Sequence, residues 1–257
     1  FRYNHDEKQI GMSLPWPMER GLHPNSREGS RIACNIAVEH CKEQLADSEN
    51  FDDDINLYHL DQKSEAAGKA ISADIYKIVG NAALKAHKAI AAEAQQKGRK
   101  TKEYSTTLLL AICKKYNFGW FVASFWVGDG AICLYNQADK TAMMLGMPDE
   151  GEYAGQTRFL TMPEIFSDSN KFYQRMNCRI VPDFTALFLM TDGVSDPKFE
   201  TDANLRSYNK WNELWADLKE NGVELADDNE EAANQLLIGW TFGQPGNHDD
   251  RTIAILY

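Results

Sequence analysis

The segment "STTLLLAICKKYNFGWFVASFWVGDGAICLYN", residues 105–136, contains three apolar runs in close succession. The runs cover residues 105–115, 118–128 and 131–136, and short apolar runs bounded by turn residues are typical of strands. The stretch "KKYN" suits a hairpin turn between the first two runs, and "GDG" suits one between the next two. The sequence therefore predicts three strands, joined by two hairpins, near the middle of the chain.

Segments with helical periodicity lie on both sides of these strands. Ser26 is suited to cap a first helix, because apolar residues recur at helical spacing after it. Residues 65–97 predict one long helix with a face rich in isoleucine and alanine. Residues 209–220 and 230–242 are amphipathic and predict two more helices.

The order of these elements indicates the fold class. Helices come first, strands cluster in the middle with more expected at 157–161 and 185–191, and helices return before a last strand at 249–257. This order lacks the alternation of a parallel βαβ sheet, so it favours an α+β fold with a mostly antiparallel sheet. Residues 1–25 are expected to be irregular. Since we find no repeat and no later linker, residues 1–257 are expected to form a single domain.

The composition of the chain disfavours some classes of binding partner and indicates in which compartment the protein is expected. The formal net charge is −11, which disfavours nucleic acid and anionic membrane as partners, and the basic stretch "KGRK" is too short to change this. No apolar run of about 18 residues and no charged-then-apolar leader is present, so we expect no membrane span and a cytoplasmic location. The five cysteines include no CxxC pair and are expected to be reduced, buried thiols.

Acidic residues mark the ends of three predicted strands. They are Asp129, Asp192, Asp249 and Asp250. If these strand ends meet at one edge, the carboxylates repel one another unless protons or cations lie between them. Mg²⁺ and Mn²⁺ prefer oxygen ligands of this kind. The competing interpretation is a simple turn, because Asp-Gly dipeptides are common in turns.

The sequence lacks the motifs of other common phosphate-binding sites and of other common sites that activate a nucleophile. The sequence contains no GxxxxGK[ST] loop, no GxGxxG after a strand, and neither HExxH nor GxSxG. The acidic residues at 52–54 lack the spacing and the glycine of an EF-hand loop. A carboxylate-bound divalent cation is therefore the chemistry that the motifs leave open.

Four short motifs, in this order, resemble the metal-dependent protein phosphatases of the 2C family. The motifs are "YSTTLLLAI", "FWVGDGAICLY", "FLMTDGVSD" and "GNHDDRTIAIL". They are similar to the family's small-Thr-Thr strand, its GD-[SG] hairpin, its SDG…D strand end and its closing strand. The resemblance covers roughly residues 26–257. With "GEYA" followed by "TRFLT", it is greatest to a bacterial subgroup that includes tellurite-resistance-associated phosphatases.

The resemblance implies a four-layer α-β-β-α sandwich of two antiparallel sheets flanked by helices. It also implies that Asp192 and Asp249 each bind one ion of a Mg²⁺ or Mn²⁺ pair, which activates the water that attacks phosphorus. Asp129 and Asp196 would serve a looser third ion, and Asp250 would lie beside the ligands. A purely structural role stays open for Asp129 and Asp196. For Asp129 this role would be to shape the "GDG" turn.

One family feature has no counterpart in this sequence. The family carries an Asp-Gly before its first helix, and that aspartate bridges both metals. The corresponding stretch reads "PWPMERGLHP", in which Glu19 stands in no matching motif, and neither does Asp6 further upstream. Either the sequence lacks a segment near Gly21–Leu22, or the protein is a degenerate relative that does no hydrolysis.

The resemblance implies a serine/threonine phosphatase acting on phosphoproteins, with a cognate kinase as a second expected partner. Segment 196–225 lies where the family has a variable flap. The alternative is a non-catalytic module that keeps the sandwich and binds a kinase or a phosphoprotein.

Overall fold

A computed structural model describes residues 9–13, 24–47, 76–116, 119–149, 157–221, 230–240 and 251–257. The acidic residues discussed above that lie outside these ranges are Asp6, Glu19, Asp249, Asp250 and those at 52–54. The first part of the predicted long helix, residues 65–75, also lies outside them.

The described strands form two four-stranded antiparallel sheets. The first sheet has the order β1-β2-β3-β6, with β1 Gln9–Ser13, β2 Leu108–Tyr116, β3 Gly119–Val127 and β6 Met176–Val181. The second has the order β5-β4-β7-β8, with β4 Ala131–Asn136, β5 Thr141–Gly146, β7 Ala186–Met190 and β8 Ile253–Leu256.

Helices precede, interrupt and follow these strands. The described α-helices are α1 Ser26–Asp47, α2 Asn81–Gln96, α3 Glu164–Ser167, α4 Ser169–Tyr173, α5 Asp192–Phe199, α6 Asp202–Leu205, α7 Tyr208–Glu220 and α8 Glu230–Gly239. A π-helical turn, Tyr76–Gly80, leads into α2, and a 3₁₀ turn, Thr101–Tyr104, leads towards β2. None of the described helices is long and apolar enough to cross a bilayer.

Three apolar cores separate four layers of structure. One core lies between helices α1 and α2 and the first sheet, and includes Ala37, Ile90 and Leu110. A second lies between the two sheets and includes Leu109, Ile132 and Leu189. The third lies between the second sheet and helices α5 and α7, and includes Val194, Phe188 and Trp211. This arrangement confirms the four-layer α-β-β-α sandwich.

Strand β7 shows how completely the sheets are covered. Ala186, Phe188 and Met190 face the outer helices, whereas Leu187 and Leu189 face the other sheet. All five side chains are at most 2% exposed. Because a strand alternates its side chains between two apolar cores, it has no position for a polar group until it ends.

The interpretation of "GDG" as a hairpin turn is wrong. β3 belongs to the first sheet and β4 to the second, so Gly128–Gly130 carries the chain between sheets. A Cβ on Gly130 would lie 2.6 Å from the carbonyl oxygen of Met190 in the second sheet and 2.7 Å from Leu109 Cδ1 in the first. The spacing of two apolar runs does not distinguish a hairpin from such a crossover. The other expected hairpin is confirmed, since β2 and β3 pair up to Tyr116 and Gly119.

The sequence missed β1, β5 and β6, and all three lie at the edges of the sheets that the described residues form. An edge strand pairs on one side only and tolerates polar side chains, so its apolar pattern is weak. Residues 1–25 are thus not wholly irregular, because β1 pairs with β2 through Met12 and Ala111. The strand expected at 157–161 is wrong: Leu160 and Thr161 form a turn, and Leu160 donates its N–H to the carbonyl of Thr106.

The aromatic contacts of Phe188 predict a large loss of stability when its ring is removed. The ring is fully buried and lies 5.4 Å from that of Trp211 and 6.0 Å from that of Trp215, measured between centroids. Phe188→Ala is expected to lower the free energy of unfolding by about 3–5 kcal/mol, because it leaves a cavity. Ile238→Ala is the control, since Ile238 is 67% exposed, and should change it by less than about 0.5 kcal/mol. Equal urea midpoints for the two variants would contradict this assignment of the core.

The tight packing of the crossover predicts that Gly128→Ala destabilises the protein more than Gly98→Ala does. Gly128 has φ 117°, and a Cβ there would lie 2.3 Å from Thr107 Cγ2. Gly98 has φ 63° but open space around it. Gly98→Ala should cost about 1–2 kcal/mol for the left-handed backbone alone, whereas Gly128→Ala should cost more because the clash with Thr107 is added. Thermal melts of both variants, at one metal concentration and again in EDTA, measure the difference. A smaller cost at Gly128 than at Gly98 would contradict it.

Candidate metal centre at the shared sheet edge

Three strand ends of the second sheet lie at one edge. The first residue of β4, Ala131, pairs with the last residue of β7, Met190. Met190 in turn pairs with the first residue of β8, Ile253. Asp129 comes two residues before Ala131, and Asp192 two residues after Met190. The expectation that these strand ends share an edge is therefore confirmed, although Asp249 and Asp250 lie outside the described residues.

Asp129 lies in the crossover and is half-buried. The Oγ1 hydroxyl of Thr157 donates a short hydrogen bond to Asp129 Oδ2. This contact crosses 28 positions of sequence, and the sequence analysis missed it because it assigned Thr157 to a strand. The "T-x-F" segment after "GEYA" was the available signal, but it was used only as a family likeness. The hydroxyl restricts the orientation of a carboxylate that is expected to bind a cation.

Asp192 begins α5 immediately after β7. The backbone there is anchored by Thr191, which exchanges three hydrogen bonds of 3.0–3.3 Å with Thr252, the residue before β8. Thr191 also caps α5 with its carbonyl oxygen, which accepts from the N–H groups of Val194 and Ser195. The strand therefore runs into a helix, and the alternative of a simple Asp-Gly turn is wrong.

Asp196 lies one helical turn after Asp192 on α5 and is exposed. Residues four apart on a helix share a face, with Cβ atoms about 6 Å apart. The half-buried Asp192 and the exposed Asp196 thus differ in their access to water. This difference fits a tightly held ion at the first and a more hydrated ion at the second.

Trp240, the residue after α8, contacts both α5 and the segment that leads into β8. Lys198 of α5 donates to Asp217 of α7 at 2.6 Å, and its ammonium lies 4.2 Å from the centre of the Trp240 ring. Arg251, just before β8, donates to the carbonyl oxygens of Leu237 and Trp240 at 3.1 and 2.6 Å. α5 and the approach to β8 are therefore fastened to the same helix end.

The side chains near this edge offer the oxygen atoms that a hard divalent cation prefers as ligands. The donors beyond the edge are carboxylates and a hydroxyl, which Mg²⁺ and Mn²⁺ prefer over the nitrogen and sulphur ligands typical of zinc. Among the described ranges no group of three or more His, Cys, Asp or Glu side chains forms a metal cluster. A cluster of three or more such ligands would thus need a residue from outside the described ranges, and the metal-binding role of each aspartate stays a prediction.

Comparison with known proteins assigns the family. The family model described as "Protein phosphatase 2C" matches residues 20–236. The match includes Asp129, Asp192 and Asp196 and ends before Asp249. It does not test the likeness to the tellurite-resistance-associated subgroup. No curated protein sequence matches the chain.

Solved bacterial phosphatases align with nearly the whole chain at low identity. The serine/threonine phosphatase PstP/Ppp of Mycobacterium tuberculosis is 14% identical over 96% of both chains, with a TM-score of 0.42. The catalytic domain of PstP in complex with two manganese ions is 14% identical over 96% of this chain and 95% of its own, with a TM-score of 0.43. PppA, described as a key regulatory component of T6SS in Pseudomonas aeruginosa, is 11% identical over 96% and 95%, with a TM-score of 0.42.

At such identities and TM-scores these structures add no argument, and the assignment rests on the family match. That match spans most of the chain, and the two antiparallel sheets are those that the four motifs implied. The chain therefore belongs to the protein phosphatase 2C family of serine/threonine phosphatases.

Proposed function

We propose that this phosphatase hydrolyses phosphoserine and phosphothreonine in phosphoproteins with two divalent ions, Mn²⁺ or Mg²⁺, held by Asp192 and Asp249. The observation that carries the proposal is the common edge of β4, β7 and β8, beyond which these aspartates stand in the sequence. A kinase that produces the phosphoprotein is a further expected partner and stays a prediction.

The charge of the protein explains why the reaction needs cations. A phosphate monoester dianion approaches a chain of net charge −11, so carboxylates alone would repel it at this edge. Divalent ions held by Asp192 and Asp249 would supply the missing positive charge, would lower the pKa of a water and would stabilise the phosphoryl oxygens.

The chain's own residues supply rigid ligands. The backbone at Asp192 is held by the Thr191–Thr252 hydrogen bonds and by the start of α5. The carboxylate of Asp192 accepts the N–H of Gly193 at 2.5 Å, which restricts its orientation before an ion binds. Asp129, oriented by Thr157, and Asp196, in contact with water, are proposed to bind a looser third ion. Asp250 is proposed to lie beside the ligands.

The non-catalytic alternative is not favoured, because the family is one of enzymes. The missing Asp-Gly before Ser26 concerns residues outside the described ranges. A measured rate that depends on added metal separates the two possibilities directly.

Asp192→Asn should lower the Mn²⁺-supported rate of p-nitrophenyl phosphate hydrolysis by at least about 100-fold, because it removes a charge that the ion needs. EDTA should abolish the wild-type rate. Without metal, the melting temperature of Asp192→Asn should be equal or higher, since repulsion between carboxylates is relieved.

Asp183→Asn is the matched control, because Asp183 is an exposed aspartate before β7, at the opposite end of that strand. It should retain the wild-type rate. A wild-type rate that persists in excess EDTA would overturn the two-metal proposal, and a fully active Asp192→Asn would remove Asp192 from it.

The third ion predicts a separate metal titration. Asp129→Ala and Asp129→Asn should raise the half-saturating Mn²⁺ concentration by about tenfold, and Thr157→Val should raise it less, since the carboxylate remains but loses its hydrogen bond. Thr157→Ser keeps the hydroxyl and should match the wild type. Initial rates and calorimetric counting of bound ions are the measurements. A wild-type titration curve for Asp129→Asn would remove Asp129 from the metal site and leave Asp192 untouched.

A further inference from the structure

An ion pair links the two sheets beside the crossover. Arg175 precedes β6 of the first sheet, and Asp149 follows β5 of the second. An Nη of Arg175 contacts Asp149 Oδ2, and the two side chains are only 10% and 14% exposed. β5 and β6 each lie at one edge of a sheet as far as the chain is described, so this pair joins the two sheets at neighbouring edges.

Both partners of this ion pair also hold the backbone that leads to Asp129. Asp149 Oδ2 accepts the N–H of Gly128 at 3.0 Å, and the Asp149 N–H donates to the Gly128 carbonyl at 2.8 Å. The Arg175 guanidinium donates to the carbonyl of Trp126 at 3.4 Å, and the Trp126 N–H donates to the carbonyl of Arg175 at 3.1 Å. Four hydrogen bonds thus immobilise residues 126–128.

The attraction between the two charges does not by itself explain this arrangement. Burying two charges is costly, and replacing a buried ion pair with apolar side chains is often neutral. An apolar pair would not, however, accept the N–H of Gly128, which lies beyond the last paired residue of β3. The carboxylate of Asp149 therefore satisfies a backbone group in the short segment that carries the chain from β3 of the first sheet to β4 of the second.

We infer that Arg175 and Asp149 are positioning residues, which orient Asp129 by fixing the peptide groups of Gly128 from one side while Thr157 holds the carboxylate from the other. The inference rests on the proposed role of Asp129 as a ligand of the third ion. Neither Arg175 nor Asp149 itself needs to touch an ion or the substrate.

The test uses Mn²⁺ alone, titrated calorimetrically into the full chain without substrate, together with the half-saturating Mn²⁺ concentration for hydrolysis. The double variant Arg175→Met/Asp149→Leu removes the ion pair and the acceptor of Gly128. It should weaken the looser Mn²⁺ site by about tenfold and leave the tighter sites unchanged, with kcat recovered at saturating Mn²⁺. Arg175→Lys keeps the positive charge and should therefore weaken Mn²⁺ binding at the looser site less than the double variant does.

The control is Lys210→Gln, which breaks an ion pair on the surface of α7. In that pair Lys210 and Glu213 are 37% and 65% exposed. Lys210→Gln should leave the isotherm unchanged. If the ion pair only stabilised the fold, the melting temperature in EDTA would fall while the Mn²⁺ isotherm stayed that of the wild type, and the inference would be overturned. If the double variant does not fold, Asp149→Asn and Arg175→Lys decide by the same isotherm.

Combination with Asp129→Asn separates this inference from the proposed function. If Arg175 and Asp149 act through Asp129, adding Asp129→Asn to the double variant should give the isotherm of Asp129→Asn alone, because the effects are not additive. A wild-type isotherm for Asp129→Asn would reject the third-ion role itself. A weakened isotherm for Asp129→Asn beside a wild-type one for the ion-pair variants would reject only the positioning role.

Discussion

The burial of both faces of both sheets is the constraint on which the rest of this structure depends. Helices cover the outer faces and the sheets cover each other, so central strands such as β7 carry apolar side chains on both sides. A carboxylate within such a strand would lose its hydration without compensation. Charged groups of a functional site are therefore confined to the strand ends, and Asp129 and Asp192 stand there.

The crossover between the sheets concentrates the polar groups of this edge. Gly128 and Gly130 allow the chain to pass where a side chain would strike Thr107 or Met190, so Asp129 is brought to the gap between the two sheets. Hydrogen bonds from the neighbouring segments then hold it, with Thr157 on its carboxylate and Asp149 on the preceding backbone. A ligand held in this way needs little further ordering when a cation binds, which favours binding.

The sequence predicted the central elements well and the peripheral ones poorly. The helix starting at Ser26 and the strands that became β2, β3, β4, β7 and β8 were predicted within a few residues of their bounds. The strands β1, β5 and β6 at the edges of the described sheets were missed, because a strand paired on one side needs no continuous apolar pattern, although the edge strand β8 was predicted. The apolar runs indicated Asp129 and Asp192 as strand-end acids, since an acid after such a run stands out in a sequence, and the resemblance to the family implied their metal-binding role. Thr157, Asp149 and Arg175 carry no such local signal.

By itself, the sequence determined the class of fold, the family and the acids available to bind a cation, because apolar periodicity and short motifs are properties of neighbouring residues. Only the tertiary structure decided that "GDG" connects two sheets rather than two strands of one. It also decided that Arg175, 46 positions after Asp129 in the sequence numbering, donates to the carbonyl of Trp126 in the strand that leads into this crossover. These relations depend on how layers pack, and packing brings together residues whose separation in sequence leaves no periodic trace.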